Sequence, residues 1–124
     1  MEFEELSNKI INSAIEVHKK LGPGFLESIY QAALLYQLQK DGIKVEPQKE
    51  VKIFYDEKEI GMHRLDFLID EQIIVELKTV KEFDESHLAQ VLSYLKATGV
   101  TTALLLNFAK PTLEIKRVVK QKKD

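Results

Sequence analysis

The chain has 124 residues, of which 44% are hydrophobic and 31% are charged, and its formal net charge is −2. These values are typical of a globular protein of one domain, and the net charge does not by itself indicate nucleic-acid binding. Cysteine is absent, which excludes disulfides, thiolate metal sites and a cysteine nucleophile. The N-terminus is acidic and amphipathic, unlike a signal peptide, and no apolar run approaches the roughly 18 residues that span a bilayer. We therefore expect a cytoplasmic protein that does not interact with membranes.

The first forty residues contain two predicted helices. Apolar residues recur at helical spacing over residues 4–20, and a second helix is predicted over residues 26–40. The sequence LGPGF at residues 21–25 interrupts the two, because Gly-Pro-Gly does not continue a helix. Asp41-Gly42 ends the second helix, since glycine is the usual residue just past a helix end.

The rest of the chain alternates strands, turns and one further helix. Five strands are predicted, at residues 45–55, 61–69, 73–79, 101–108 and 113–119. The sequence DEKEIG (56–61) is predicted to be a hairpin turn, Asp70-Glu71-Gln72 a second one, and the last strand is placed at a sheet edge. The third helix is predicted to start at an N-cap Ser86 and to end at Gly99. The order ααβββαββ indicates a single α/β domain over residues 1–124, with a mixed central β-sheet flanked by α-helices.

Three charged residues interrupt the apolar strands of RLDFLIDEQIIVELKTV, residues 64–80: Asp66, Glu76 and Lys78. Side chains of a strand alternate between its two faces, so Glu76 and Lys78 share a face. If the two strands pair as a hairpin, Asp66 comes close to both. Two adjacent carboxylates repel each other and raise at least one pKa, unless a cation lies between them. Mg²⁺ is such a cation, since it binds one or two carboxylates, water and phosphate oxygens.

An ordinary solvated strand surface is the alternative for this set. Acid-x-Lys triplets are frequent in a chain with this charge content, as at Glu50-Val51-Lys52, Asp56-Glu57-Lys58 and Glu114-Ile115-Lys116. Most such triplets form surface ion pairs of little energetic consequence. Spacing alone therefore leaves both a metal site and a solvated surface open, and the apolar setting favours the metal site.

Two helices carry polar residues that suit a site near these strands. Glu27, Tyr30 and Gln31 share one helix face by their spacing, although a carboxylate in a first helical turn is also explained by the helix dipole. Gln90 and Tyr94 lie one turn apart on the third helix, where an exposed polar residue is the alternative for Gln90. The three histidines lack zinc-ligand spacing.

The sequence GFLESIY, residues 24–30, is a G-x-x-E-x-x-Y motif that follows EVHKKLGPG. With RLDFLIDEQIIVELKTV, AQVLSYLKATG, LLLNF and LEIKRVV in this order, the chain resembles the GxxExxY protein family of the PD-(D/E)xK nuclease superfamily. The resemblance covers almost the entire chain. It implies a restriction-endonuclease-like fold with a Mg²⁺-dependent site on the central strands, where Mn²⁺ can substitute.

The resemblance also implies roles for individual residues. Asp66 and Glu76 would be metal ligands, with the Leu77 carbonyl and the helix acid Glu27 as further ligands. Lys78 would orient the attacking water and stabilise the developing charge. Gln90 would correspond to the helix glutamine of RecB-like and Cas4-like exonucleases, a branch of the same superfamily. The residue before Asp66 is Leu65 and not the proline of the superfamily name, which is the least informative part of that motif.

The function implied is metal-dependent hydrolysis of phosphodiester bonds in nucleic acid, with DNA as the expected substrate. The alternative is a non-catalytic nucleic-acid- or protein-binding module that retains the nuclease-like fold. A homodimer is compatible with both, because the apolar first helix and an edge strand are able to pair with another copy. The C-terminal KRVVKQKKD supplies candidate phosphate contacts at Lys116, Arg117 and Lys120, with a solvated tail as the alternative.

Overall fold

The structure is a computed structural model and describes residues 3–120. It contains three helices and five strands: α1 (Glu4–Leu21), α2 (Glu27–Lys40), β1 (Val45–Tyr55), β2 (Lys58–Ile69), β3 (Ile73–Lys78), α3 (Glu85–Thr98), β4 (Thr102–Asn107) and β5 (Glu114–Val119). The predicted order ααβββαββ is confirmed. So is the predicted fold class, an α/β restriction-endonuclease-like fold with a mixed sheet between helices.

The five strands form one sheet in the order β1-β2-β3-β4-β5. β3 and β4 are parallel, and α3 makes the crossover between them. All other neighbouring strands are antiparallel. β5 lies at a sheet edge, as the sequence predicts, and β1 forms the opposite edge.

Helices cover both faces of the sheet and create two core clusters. The first cluster joins α1 and α2 to residues of the central strands that include Val75 and Leu77. The second joins α3 to Ile74 and Leu68, among others. Successive residues of β3 therefore face opposite layers, as the period of two requires. This alternation places Glu76 and Lys78 on the face that α3 covers.

The turn between β1 and β2 differs from the prediction. Only Asp56 and Glu57 form it, with φ of 49° and 68°, and β2 already begins at Lys58. A two-residue hairpin loop with positive φ at both positions matches the right-handed twist of the flanking strands. The predicted six-residue turn is therefore wrong, because the strands continue to pair closer to their connection than the polar composition suggests.

The predicted N-cap of α3 is also wrong. Asp84 caps the helix, since its carboxylate accepts hydrogen bonds from the backbone N–H groups of Ser86 and His87. The Asp84 N–H in turn donates to His87 Nδ1 at 3.0 Å, which completes a reciprocal capping box. Ser86 lies inside the first turn. The C-terminal prediction is confirmed, because Gly99 ends the helix with a φ of 77°.

Candidate active site

Asp66 and Glu76 lie side by side where β2 and β3 part. The backbone ladder between these strands runs from Ile69–Ile73 to Phe67–Val75 and stops there. In place of the next backbone pair, the Asp66 N–H donates to Glu76 Oε2 at 2.6 Å, and the Leu77 N–H donates to Asp66 Oδ2 at 2.9 Å. Two carboxylates therefore replace the peptide groups of one rung. We call this opening, formed by Asp66, Glu76 and Leu77, the strand fork.

Burial makes the strand fork electrostatically unfavourable for two full negative charges. Glu76 is only 3% exposed. Desolvation, with the neighbouring Asp66 as the second cause, raises the pKa of Glu76 from 4.5 to about 8. Desolvation also raises the pKa of Asp66, although the Leu77 N–H and the charge of Lys78 oppose the change. At neutral pH the pair therefore holds either a proton or a cation.

Lys78 and Gln90 form the side of the site that faces α3. Lys78 Nζ donates to Gln90 Oε1 at 3.0 Å, which holds the ammonium group beside the strand fork. The positive charge of Lys78 lowers the pKa of both fork carboxyls against the effect of burial. Lys78 therefore supplies partial compensation, as the sequence suggested, from a position held by α3.

Tyr94 lies one helical turn beyond Gln90 and is nearly buried. Desolvation, followed by the charges of Glu76 and Asp66, raises the pKa of Tyr94 to about 12. Its ring meets His63 edge-on, with the ring centroids 4.7 Å apart. The phenol is thus a neutral hydroxyl at physiological pH, within electrostatic reach of the two carboxylates.

Glu27 approaches the same carboxylates from the opposite helical layer. It is the first residue of α2 and is partly buried. Desolvation and then the charge of Asp66 raise the pKa of Glu27, while Lys78 lowers it. The structure therefore brings Glu27, Asp66, Glu76 and Lys78 within electrostatic reach of one another, although they derive from three separate elements.

Tyr30, the last residue of the G-x-x-E-x-x-Y motif, anchors the helix that carries Glu27. It is fully buried and stacks on Phe108 with ring centroids 4.7 Å apart. Its hydroxyl donates to the Gly22 carbonyl and accepts from the Phe25 N–H. Gly22 and Gly24 have φ of 69° and 110°, a region that side chains disfavour, which accounts for glycine there. The motif therefore holds the corner from which α2 starts.

The donor set of the strand fork suits a hard divalent cation. Within residues 3–120, no group of three or more His, Asp or Glu side chains is arranged to hold a metal ion. Two carboxylates are nevertheless enough for Mg²⁺, which completes its coordination with water and phosphate oxygens. The backbone hydrogen bonds occupy one oxygen of Asp66 and one of Glu76, so each carboxylate retains lone pairs for a metal.

The basic residues near the C-terminus lie at the edge of the sheet, where the strand register aligns Lys116 with Glu76 through Leu105 of β4. Lys116 and Arg117 belong to the edge strand β5, which β4 separates from β3. Because neighbouring strand residues point to opposite faces, these two do not form one patch. The Lys120 N–H continues the sheet by donating to the Thr101 carbonyl. The remaining lysines of the predicted basic tail, at positions 122 and 123, lie outside the described residues.

Two features of the site were missed in the sequence. One is the backbone N–H of Leu77, whose bond to Asp66 exists only because the strands part. The other is Gln48, a strand residue with a φ of 51° that hydrogen-bonds to Gln31 on α2. Pro47 immediately before it is a signal for this irregularity, because proline within a strand is confined to edges and bulges.

A family model for the PD-(D/E)XK nuclease superfamily matches residues 4–118, so the chain belongs to this superfamily. Among solved structures, the chain is similar to the crystal structure of SSO0001, with a TM-score of 0.63 and 17% sequence identity. That match covers 98% of this chain and 61% of the other, and at this identity it shows a shared fold alone. No curated protein sequence matches the chain. None of the helices within residues 3–120 is both long and apolar enough to cross a membrane.

Proposed function

We propose that this member of the PD-(D/E)XK nuclease superfamily is a metal-dependent nuclease that hydrolyses phosphodiester bonds of nucleic acid, with DNA as its substrate. One observation carries the proposal: the buried carboxylate of Glu76 and the half-buried carboxylate of Asp66 replace a backbone rung in the strand fork, with Lys78 beside them. An acidic pair that burial has partly removed from water is destabilising unless a cation compensates it, and a site for a cation and a phosphate accounts for the arrangement.

The metal would be held by Asp66 and Glu76, with Glu27 and the Leu77 carbonyl as further ligands. Mg²⁺ suits this all-oxygen set, and Mn²⁺ would substitute for it. When bound, the metal lowers the pKa of its water and neutralises charge on the phosphate. Because Asp66 and Glu76 each accept a backbone N–H, their free oxygens are already oriented before a metal arrives.

Lys78 would act on the substrate rather than on the metal. Its hydrogen bond to Gln90 fixes the ammonium group at the open end of the strand fork. In that position Lys78 orients the attacking water and stabilises the negative charge that develops on the phosphate oxygens. Gln90 contributes by holding Lys78 and by offering its amide to the substrate.

Several finer assignments belong to the same proposal. The intact motif residues Gly24, Glu27 and Tyr30 support the GxxExxY branch of the superfamily. We also propose one nuclease-like domain over residues 1–124, a cytoplasmic location and a homodimer. Lys116 and Arg117 on β5, and Lys120 just after it, would contact phosphates of the nucleic acid, which would then reach across β4 to the edge of the sheet.

The decisive experiment compares cleavage of labelled single-stranded DNA, duplex DNA and RNA in Mg²⁺ and in Mn²⁺. Wild type is run beside Lys78→Ala and beside Lys81→Ala, an exposed lysine just beyond β3 that serves as the matched control. We expect wild type and Lys81→Ala to cleave at similar rates. In Lys78→Ala the cleavage rate should fall at least about a hundredfold, the range for removal of one group that stabilises transition-state charge. Equal cleavage by all three proteins would exclude the proposed role of Lys78.

The binding module remains the second candidate, and one observation favours it. The residues that the structure describes include no complete set of three metal-binding side chains. A module of this kind would bind nucleic acid or protein without consuming Mg²⁺. Calorimetric titration with Mn²⁺ separates the two candidates. If the protein is a nuclease, wild type should bind Mn²⁺ and Asp66→Asn should not. If it is a binding module, neither protein should bind Mn²⁺.

A further inference from the structure

A chain of side-chain amides leads from β1 to Glu27. Gln48 Nε2 donates to Gln31 Oε1 at 3.2 Å, and Gln31 Nε2 donates to Glu27 Oε2 at 3.5 Å. Gln31 lies one turn after Glu27 on α2, while Gln48 belongs to a different layer of the fold. We call Gln48 and Gln31 together the glutamine relay.

The backbone of Gln48 is irregular at the β1 position beside Asp66 of β2. Its φ is 51°, a left-handed value that residues other than glycine rarely adopt within a strand. In the register of β1 with β2, the pairs Pro47–Phe67 and Lys49–Leu65 flank it, so Gln48 stands opposite Asp66. Irregularities of this kind re-aim side chains and are common next to active sites. Here the irregular residue makes the side-chain bond towards α2.

The direction of the hydrogen bonds determines which end of the Gln31 amide faces Glu27. Because Gln48 donates to the carbonyl oxygen of Gln31, the amide nitrogen of Gln31 is the group left for the Glu27 carboxylate. Glu27 needs such a donor, since Asp66 repels it and solvent competes for it. Without the relay, the Glu27 side chain is free to turn away from Asp66 towards water.

We propose that Gln48 and Gln31 are positioning residues that hold the Glu27 carboxylate towards Asp66 for metal binding. This inference rests on the proposed function, because it gives the relay a purpose only if Glu27 serves the metal. The proposal predicts that Gln48 and Gln31 influence Mn²⁺ affinity through Glu27 alone. It also predicts that this influence depends on the hydrogen-bond donor of the Gln31 amide more than on the size of the side chain. Groups that orient metal ligands typically influence metal affinity although they do not touch the metal.

The test measures Mn²⁺ affinity by calorimetry, together with kcat and KM for cleavage. Gln31→Glu places an acceptor where Glu27 needs a donor, and Gln48→Ala removes the group that orients Gln31. We expect each to weaken Mn²⁺ binding and to lower kcat about three- to tenfold, as for the loss of one hydrogen bond, with little change in KM. Gln39→Glu is the matched control, because it makes the same charge change at an exposed site on the same helix, and it should behave as wild type.

A second substitution separates positioning from stability. Gln48→Gly removes the side chain but suits the left-handed backbone, so its melting temperature should equal or exceed that of wild type while its Mn²⁺ affinity still falls. In a Glu27→Gln background, Gln31→Glu and Gln48→Ala should have no further effect on Mn²⁺ affinity. Such dependence on Glu27 is not expected of a merely structural contact.

Three results would overturn the relay. The first is that Gln31→Glu and Gln48→Ala have the same Mn²⁺ affinity and kcat as Gln39→Glu. The second is that Gln31→Glu binds Mn²⁺ more tightly than wild type. The third is that the substitutions lower Mn²⁺ affinity by the same factor in the Glu27→Gln background as in wild type. In these cases wild type still binds Mn²⁺ and cleaves, so the proposed function stands. If wild type neither binds Mn²⁺ nor cleaves, both the relay and the proposed function are rejected.

Discussion

Glu76→Gln should stabilise the metal-free protein, and by more at higher pH. The substitution keeps the shape of the side chain and an oxygen that can accept the Asp66 N–H, but it removes the ionisable group. In the folded protein the pKa of Glu76 is raised to about 8, whereas the unfolded chain ionises near its ordinary value of 4.5. Between these two values the folded state binds more protons, so the free energy of unfolding of wild type falls as pH rises.

The size of this effect follows from the two pKa values. One pKa unit corresponds to about 1.4 kcal/mol, so ionisable Glu76 lowers the free energy of unfolding by about 3 kcal/mol between pH 5 and pH 8. Glu76 is almost fully buried, so solvent screening reduces this change in the free energy of unfolding only slightly. An effect of this size is a large fraction of the stability of an ordinary domain, which is about 5–15 kcal/mol.

Urea denaturation in EDTA at several values between pH 5 and pH 8 measures the effect. The difference between Glu76→Gln and wild type should be small at pH 5 and should grow towards pH 8. Glu82→Gln, which removes an exposed carboxylate before α3, controls for the general change in charge. A difference for Glu76→Gln that stays constant across this range would refute the account of a desolvated acidic pair.

Three further predictions concern the metal, the tail and the third helix. Mg²⁺ at a hundred times its dissociation constant should raise the free energy of unfolding of wild type by about 2.7 kcal/mol, and Asp66→Asn, tested by the same denaturation assay, should lose this gain. Deletion of residues 120–124 removes three lysines and should weaken DNA binding. The slope of log affinity against log salt concentration should fall by about 0.9 for each lost phosphate contact. Unchanged binding would show that the segment is a solvated end. Asp84→Ala should lower the free energy of unfolding by about 1 kcal/mol through loss of the α3 N-cap, whereas Ser86→Ala, which leaves Asp84 in place, should have a smaller effect in thermal melts.

The neighbourhood of Asp66, Glu76 and Lys78 was predictable because short-range rules govern it. A three-residue turn between two apolar runs predicts a hairpin, and the period of two predicts that Glu76 and Lys78 share a face. Both expectations match the structure. The N-cap of α3 was not predictable in the same way. Asp84 and Ser86 are both good caps, and the choice depends on which one finds a partner in His87.

The approach of Glu27 to the strand fork was suggested by the family resemblance rather than by any local rule. Its position depends on the corner that Tyr30 fastens to Gly22 and on the packing of Tyr30 against Phe108. Phe108 is far from Tyr30 in the chain and Gly22 lies outside α2, so spacing within one helix contains no information about these contacts. The role of Gln48 was not predictable for the same reason, since it depends on a left-handed backbone at the β1 position opposite Asp66.

Local sequence patterns are enough to predict the order of the elements, their apolar faces and the presence of two acids and a lysine at neighbouring positions of a hairpin. Hydrophobic periodicity and turn chemistry act over a few residues, so they can be read directly from the chain. The parting of β2 and β3 at Asp66 and the enclosure of the opening by α2 and α3 depend on packing between distant segments, so they become visible in the folded chain alone. Desolvation and the pKa of Glu76 arise from that enclosure, because they depend on every atom that displaces water from the carboxylates.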